Sequence, residues 1–121
     1  MFYETKKNNH GLKYDPFKSC IIPRPIAWIT TKSIDGVENC APYSFFNAVA
    51  ARPNYVMFTS VERKDSLRNI EANGEFTCSL STWDTRDGMN VSSAPVDYLA
   101  DEFALADLET APSQFVKPPR V

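Results

Sequence analysis

The chain has a single histidine, His10, among its 121 residues. That scarcity excludes a histidine-based catalytic triad and a multi-histidine metal site; a zinc site would have to draw on scattered acids and thiols. His10 sits in the polar run Asn8-Asn9-His10-Gly11, which reads as a solvated turn. The cysteines Cys20, Cys40 and Cys78 are odd in number and widely spaced, with no Cys-x-x-Cys pair. Free cysteine behaves as a small hydrophobe, so all three are expected to be buried. No apolar run approaches the length of a membrane-spanning helix. Residues Met1 to Lys7 lack the apolar stretch of a signal peptide, which makes cytoplasm the default location. An excess of one charge is missing too. Thirteen basic and fifteen acidic side chains are interspersed and leave a net charge of −2. This is no electrostatic footprint for nucleic acid or an anionic membrane. Internal repeats, low-complexity tracts and a Gly-x-Gly-x-x-Gly string are likewise absent.

What remains is a chain that is 43% apolar and 12% aromatic, enough for one domain with a real core. Residues 1–20 mix charge with Gly11 and Asp15-Pro16 and read as a lead-in arm with short turns. Pro23-Arg24-Pro25 forces an extended entry, since each proline restricts the residue before it. Ile26 to Thr31 is nearly continuous in hydrophobicity and predicts a strand covered on both faces. Asp35-Gly36 predicts a hairpin turn, with Val37 to Ala41 returning antiparallel beside Thr30 and Thr31. Arg52-Pro53-Asn54 marks a further turn and Tyr55 to Ser60 a third strand. Asp65 to Asn73 predicts a short helix, capped by Asp65 or Ser66, with Leu67 and Ile70 on one face and Gly74 closing it. Phe76 to Leu80 alternates and makes a fourth strand. Helices are expected over 84–91 and 96–106, and linker at Thr110-Ala111-Pro112 and Lys117-Pro118-Pro119-Arg120. Four strands with two or three helices make an α+β or barrel-like domain, not a doubly wound sheet.

Two stretches bear chemistry. Asn39 to Asn47 is dense in rings, amides and a hydroxyl, and Pro42 should end or bulge its strand. It suits either a planar ligand with polar edges or a buried turn filled by Phe45 and Phe46. Ser60 to Ser66 places Arg63, Lys64 and two hydroxyls where a strand becomes a helix. The free N–H groups and partial positive charge of a helix start favour an anion there, though a capped, solvated helix start accounts for the same residues. Taken together, the stretches flank one strand. A strand of this length spans about 20 Å, the reach of a flat ring joined to a phosphate, as in FMN. Trp28 suits either a ring-stacking role or the core.

The strings Pro23 to Thr31, Asp35-Gly36, Asn39 to Asn47 and Arg63 to Ile70 resemble the flavin reductase-like family with the FMN-binding split barrel. The resemblance lies close to the branch that includes the reductase component of nitrilotriacetate monooxygenase. It continues through Gly74-Glu75-Phe76, Trp83-Asp84, Met89-Asn90, Ser93-Ala94-Pro95, Asp101 to Ala104 and Lys117 to Val121. It implies a mainly β, α+β fold: a six-stranded antiparallel Greek-key split barrel, usually a homodimer, with FMN near the subunit interface. The matching positions imply cofactor contacts from Thr30, Thr31, Ala41, Pro42, Tyr43, Ser44 and Asn47 to the isoalloxazine. Those from Ser60, Arg63, Lys64 and Ser66 reach the phosphate. The implied activity is NAD(P)H:flavin oxidoreduction, with NAD(P)H as co-substrate and a flavin-dependent monooxygenase as a partner for the reduced flavin. No protein nucleophile or base is required of the chain. The competing readings are a non-catalytic FMN-binding protein and a truncated, inactive form of the same fold. Ala27 stands where many relatives have glycine. Relatives also continue past Val121 into further strands, so residues 1–121 read as the N-terminal portion of the domain.

Overall fold

A computed structural model describes residues 2–121 of the chain. Met1, the first residue of the expected lead-in arm, lies outside them. The arm forms one helical turn, α1 (Pro16–Cys20), with Asp15 accepting the Phe17 N–H at its start. Strand β1 (Ala27–Lys32) is the centre of the molecule; residues 27–31 are all buried, as its unbroken hydrophobicity predicts. The Asp35-Gly36 turn follows, closed by Ser33 N–H donating to the Val37 carbonyl. Gly36 has φ +91°, a conformation that glycine adopts without strain. Strand β2 (Glu38–Tyr43) returns antiparallel, with Ile29 opposite Ala41 and Trp28 opposite Pro42.

Strand β2 runs through Pro42 instead of ending there. It is the edge of its sheet, and a proline is tolerated on an edge where its missing N–H would point outward. Strands β3 (Phe46–Ala51) and β4 (Asn54–Phe58) then form a second, two-stranded antiparallel sheet around the Arg52-Pro53 turn. The sequence shows no β3. Its Ala48, Ala50 and Ala51 carry little strand preference, and pairing with β4 holds it in place, with a register shift between Ala48 and Ala50. The ribbon leaves Val49, Tyr55, Val56 and Met57 about half exposed.

Helix α2 (Asp65–Asn73) ends at Gly74, left-handed and bonded from its N–H to the Ile70 carbonyl. Lys64 is its N-cap residue and no side chain caps it, so the expected cap by Asp65 or Ser66 is not made; Asp65 pairs with Arg68 instead. The buried residues of α2 are Ser66 and Asn69; Leu67 and Ile70 are only half-buried. Strand β5 (Thr77–Leu80) pairs with the other side of β1, giving the sheet order β2-β1-β5. Five strands in two antiparallel sheets are therefore present among the described residues, and they do not close into a barrel.

Helix α3 (Arg86–Val91) occupies most of its expected span. The expected helix over 96–106 shrinks to α4 (Glu102–Leu105). Asp97 accepts the Leu99 N–H in a turn of its own, and Asp101 accepts from Phe103 and Ala104 to start the helix afresh. The tail is not linker. Ala111 and Arg120 exchange both backbone bonds, Thr77 Oγ1 donates to the Pro119 carbonyl at 2.7 Å, and Pro118 is buried.

Two apolar clusters sit on opposite faces of β1. Ala27, Ile29 and Tyr43 gather Phe46, Phe58, Ile70 and Phe76 on one face. Trp28, Cys40 and Phe103 gather Met89, Leu108 and Val121 on the other. Of the cysteines only Cys40 is buried; Cys20 and Cys78 are exposed, against expectation. Cys78 lies on β5, an edge strand covered on one face only.

Candidate functional site

The outer edge of β2 follows from its register. In an antiparallel pair, residues alternate between those that bond the partner strand and those whose backbone groups point away. Pro42 has no N–H, and the Cys40 N–H donates to Glu102 Oε2 at 3.2 Å instead of to β1. Cys40 and Pro42 are thus the outward-facing positions; Cys40 is fully buried with Glu102 bonded to it, which leaves Pro42 to face what lies beside the strand.

What lies there is a cleft of about 380 Å³. One wall is Asn39 and Ala41 to Tyr43 from β2; a second is Lys64, Asp65 and Ser66 at the start of α2. Ser92 to Val96 form the facing wall, and Glu102 contributes from α4. A second cleft of about 210 Å³ adjoins it, walled by Pro42 to Phe45, Thr59 to Val61, Lys18 and Lys64. Pro42, Tyr43 and Lys64 belong to both, so the two form one depression around these residues. The Thr59 N–H bonded to the Phe45 carbonyl at 3.0 Å ties the two loops of the smaller cleft together.

The polar groups beneath the larger cleft form a buried chain. Ser66 Oγ donates to Asn39 Oδ1 at 2.6 Å, and Asn39 Nδ2 donates to Glu102 Oε1 at 2.7 Å. Thr31 Oγ1 lies 3.5 Å from Asn39 Oδ1 and accepts from Asn69 Nδ2 at 3.0 Å. This chain explains why α2 turns Ser66 and Asn69 inward: buried polar groups must find partners. Burial pushes the Glu102 carboxyl above its ordinary value, and the charge of Asp65 adds to the rise. The N–H donors of Cys40 and Asn39 oppose it. Burial also pushes the Cys40 thiol up to about 12. Tyr43 is buried, and its hydroxyl has no partner among the described residues.

The structure gathers Ala41, Pro42, Tyr43, Lys64 and Ser66 around the larger cleft and Ser44 and Ser60 around the smaller. Ser60 Oγ bonds the Glu62 carbonyl. Thr30 and Thr31 are fully buried and line neither cleft. Asn47 is exposed on β3, opposite Met57, and also lies outside both. Arg63 points along the outside of α2 and pairs with Glu71 at 2.6 Å. Trp28 is core, its Nε1 donating to Ser92 Oγ at 2.9 Å. Sequence reasoning missed Glu102, Lys18 and the 92–96 wall. An acid that follows Asp101 at a helix start reads as solvated, and its partners lie 62 and 63 residues away.

The fold defines an antiparallel α+β protein of the split-barrel kind, with a cleft at the edge of the central sheet. The flavin reductase like domain matches residues 19–121, and the chain belongs to that family. Among solved structures, the 2-nitrobenzoate 2-nitroreductase NbaA of Pseudomonas fluorescens is 25% identical, with a TM-score of 0.85 over 99% of this chain and 59% of that one. Nitrilotriacetate monooxygenase component B from Bacillus cereus is 33% identical, with a TM-score of 0.82 over 99% of this chain and 62% of that one. A Shewanella frigidimarina protein described as having a split barrel domain gives 0.83 at 18% identity over 99% and 62%, a likeness of fold alone. Curated relatives from Aquifex aeolicus and Halalkalibacterium halodurans are 31% and 39% identical. The chain spans 64% and 56% of their lengths. No helix among the described residues is long and apolar enough to cross a membrane, and no cluster of three or more potential metal ligands is found among them.

Proposed function

We propose that the chain is the FMN-binding part of a cytoplasmic NAD(P)H:flavin oxidoreductase. The observation that carries the reading is the convergence of the β2 edge and the α2 start on one depression, around Pro42, Tyr43 and Lys64, in a chain of this family. The residues fit a flavin mononucleotide. Lys64 and the free N–H groups of α2 suit a phosphate. The Pro42 carbonyl suits a ring N–H, and the Tyr43 hydroxyl, without a partner among the described residues, is a polar group still owed one.

When bound, FMN would supply the hydride chemistry with a nicotinamide. The chain's tasks are then to bind, orient and shield. Lys64 neutralises the anionic tail, Pro42 and Tyr43 fix the ring against the strand edge, and the 92–96 wall limits water. Thr30 and Thr31 act from beneath, as supports of β2 and α2. Arg63 is held by Glu71 and serves as a secondary anion contact. Asn47 lies on the exposed β3–β4 ribbon, the surface best placed to meet a second subunit in a homodimer. A flavin-dependent monooxygenase receiving the reduced flavin is the matching partner, supported by the printed name of the Bacillus cereus neighbour.

The test begins with colour: the protein should turn yellow with FMN, and NADH or NADPH should bleach it without oxygen. Yellow protein that neither nucleotide bleaches is a binder, not a reductase. Lys64→Ala should weaken FMN by about tenfold, and riboflavin far less, the loss expected of a part-exposed charge-assisted contact. Arg63→Ala should cost less than Lys64→Ala. Equal losses for both ligands would move the phosphate away from α2.

A further inference from the structure

Glu102 takes no part in the reading above, yet it is 8% exposed and lines the larger cleft. Burying a carboxyl costs free energy unless its oxygens meet donors. Both do, through Asn39 Nδ2 and the Cys40 N–H. The first of these bonds decides which way round the Asn39 carboxamide lies. An ionised carboxylate only accepts, so it must meet the amide nitrogen. Asn39 then has only its oxygen to offer Ser66 and Thr31. Ser66 has one hydroxyl proton and commits it to that oxygen. A group in the cleft therefore meets Ser66 through its lone pairs.

We propose that Glu102 is a positioning residue that sets the hydrogen-bond polarity of Ser66 through Asn39. Ser66 faces the phosphate end of the cleft as an acceptor while Glu102 is a carboxylate, and as a donor once Glu102 is protonated. A proton on Oε1 makes that oxygen a donor toward Asn39. The carboxamide turns over, its nitrogen donates to Ser66 Oγ, and the Ser66 proton is released toward the cleft. The bonds of Glu102, Asn39 and Ser66 exchange one for one, and the long 3.5 Å contact from Thr31 Oγ1 to Asn39 Oδ1 is the one given up. The identity of the ligand rests on the flavin reading; the relay itself does not.

Burial is the main cause of the raised Glu102 carboxyl, with the charge of Asp65 a smaller one. Lys64 and Asp65 face the cleft from α2, the Cys40 thiol lies on β2, and Asp101 precedes Glu102 on its own element. The wall at 92–96 contributes no ionisable side chain. Because burial holds the carboxyl above its ordinary value, the exchange sets in at a higher pH than for a solvated glutamate.

Two measurements test this. In the ligand-free protein, the NMR signals of the Asn39 carboxamide should move through one titration, centred above the usual glutamate range, and Glu102→Gln should abolish it. Glutamine must give its oxygen to the Cys40 N–H, so its nitrogen faces Asn39 and holds the carboxamide turned at every pH. Binding of FMN and of riboflavin is then compared. At neutral pH, Glu102→Gln should raise the preference for FMN about tenfold, the worth of one hydrogen bond to a charged group. Wild type should approach the variant in acid, and adding Ser66→Ala should erase the gain. Asn39 signals indifferent to Glu102, or an equal FMN preference in wild type and Glu102→Gln, would overturn the proposal. If neither flavin binds, the proposed function fails, and the Asn39 titration alone still decides whether the relay exists.

Discussion

Trp28→Phe probes the link between the core and the cleft wall. The indole is 1% exposed, packed with Cys40 and Phe103, and its Nε1 donates to Ser92 Oγ at 2.9 Å. Ser92 donates in turn to the Met89 carbonyl at 2.9 Å and begins the 92–96 wall. Phenylalanine keeps an aromatic ring but loses the N–H and part of the volume. The lost hydrogen bond is worth about 1 kcal/mol, because Ser92 keeps its own donor role and only one acceptor site goes unused. The void adds about 1–2 kcal/mol, the lower range for an incomplete truncation in a core. The sum is a destabilisation of about 2–3 kcal/mol, read as a lower denaturant midpoint at unchanged slope. FMN affinity should fall less than tenfold, since the wall loses an anchor and not a contact. Trp83 is 78% exposed, so Trp83→Phe leaves Trp28 as the sole reporter, and its emission should be that of a buried indole. A Trp28→Phe protein of unchanged stability that has lost flavin binding would place the indole against the ligand and refute the core assignment.

Two further outcomes follow from packing. At pH 8 a thiol reagent followed by mass spectrometry should label exposed Cys20 first and Cys78 more slowly, because burial raises the Cys78 thiol. Cys40, pushed to about 12, should react only on unfolding, and its rapid labelling in native protein would contradict the second core cluster. Gly88→Ala should lower the melting temperature although alanine is the better helix former by about 1 kcal/mol. Its Cβ would lie 2.9 Å from Leu108 Cδ2 and 3.1 Å from the Ala106 carbonyl, an overpacking cost of about 1–3 kcal/mol. A higher melting temperature would mean that α3 does not pack on the 106–108 turn.

Local signals carried much of this molecule. The unbroken apolar run of β1, the Asp35-Gly36 turn and the Gly74 stop each encode their element within a few residues, and each is found where it was expected. Strand β3 is invisible because alanines have no strong preference and only its pairing with β4 makes them extended. The proline-rich tail reads as linker because proline breaks regular structure, yet Pro118 is also apolar and is buried, next to the Pro119 carbonyl that Thr77 of β5 binds. The same division holds at the cleft. Pro42, Tyr43 and Lys64 announce themselves by residue type, whereas Glu102 matters only through two partners on a distant strand.

The closed outer side of β2 has a bearing on how this protein meets other chains. A recruited strand would find no amide hydrogen at Pro42 and a carboxyl already occupying the one at Cys40. Any neighbour that lengthens the central sheet must therefore approach beyond β5. The small ligand proposed for the opposite margin, by contrast, needs no ladder to sit there.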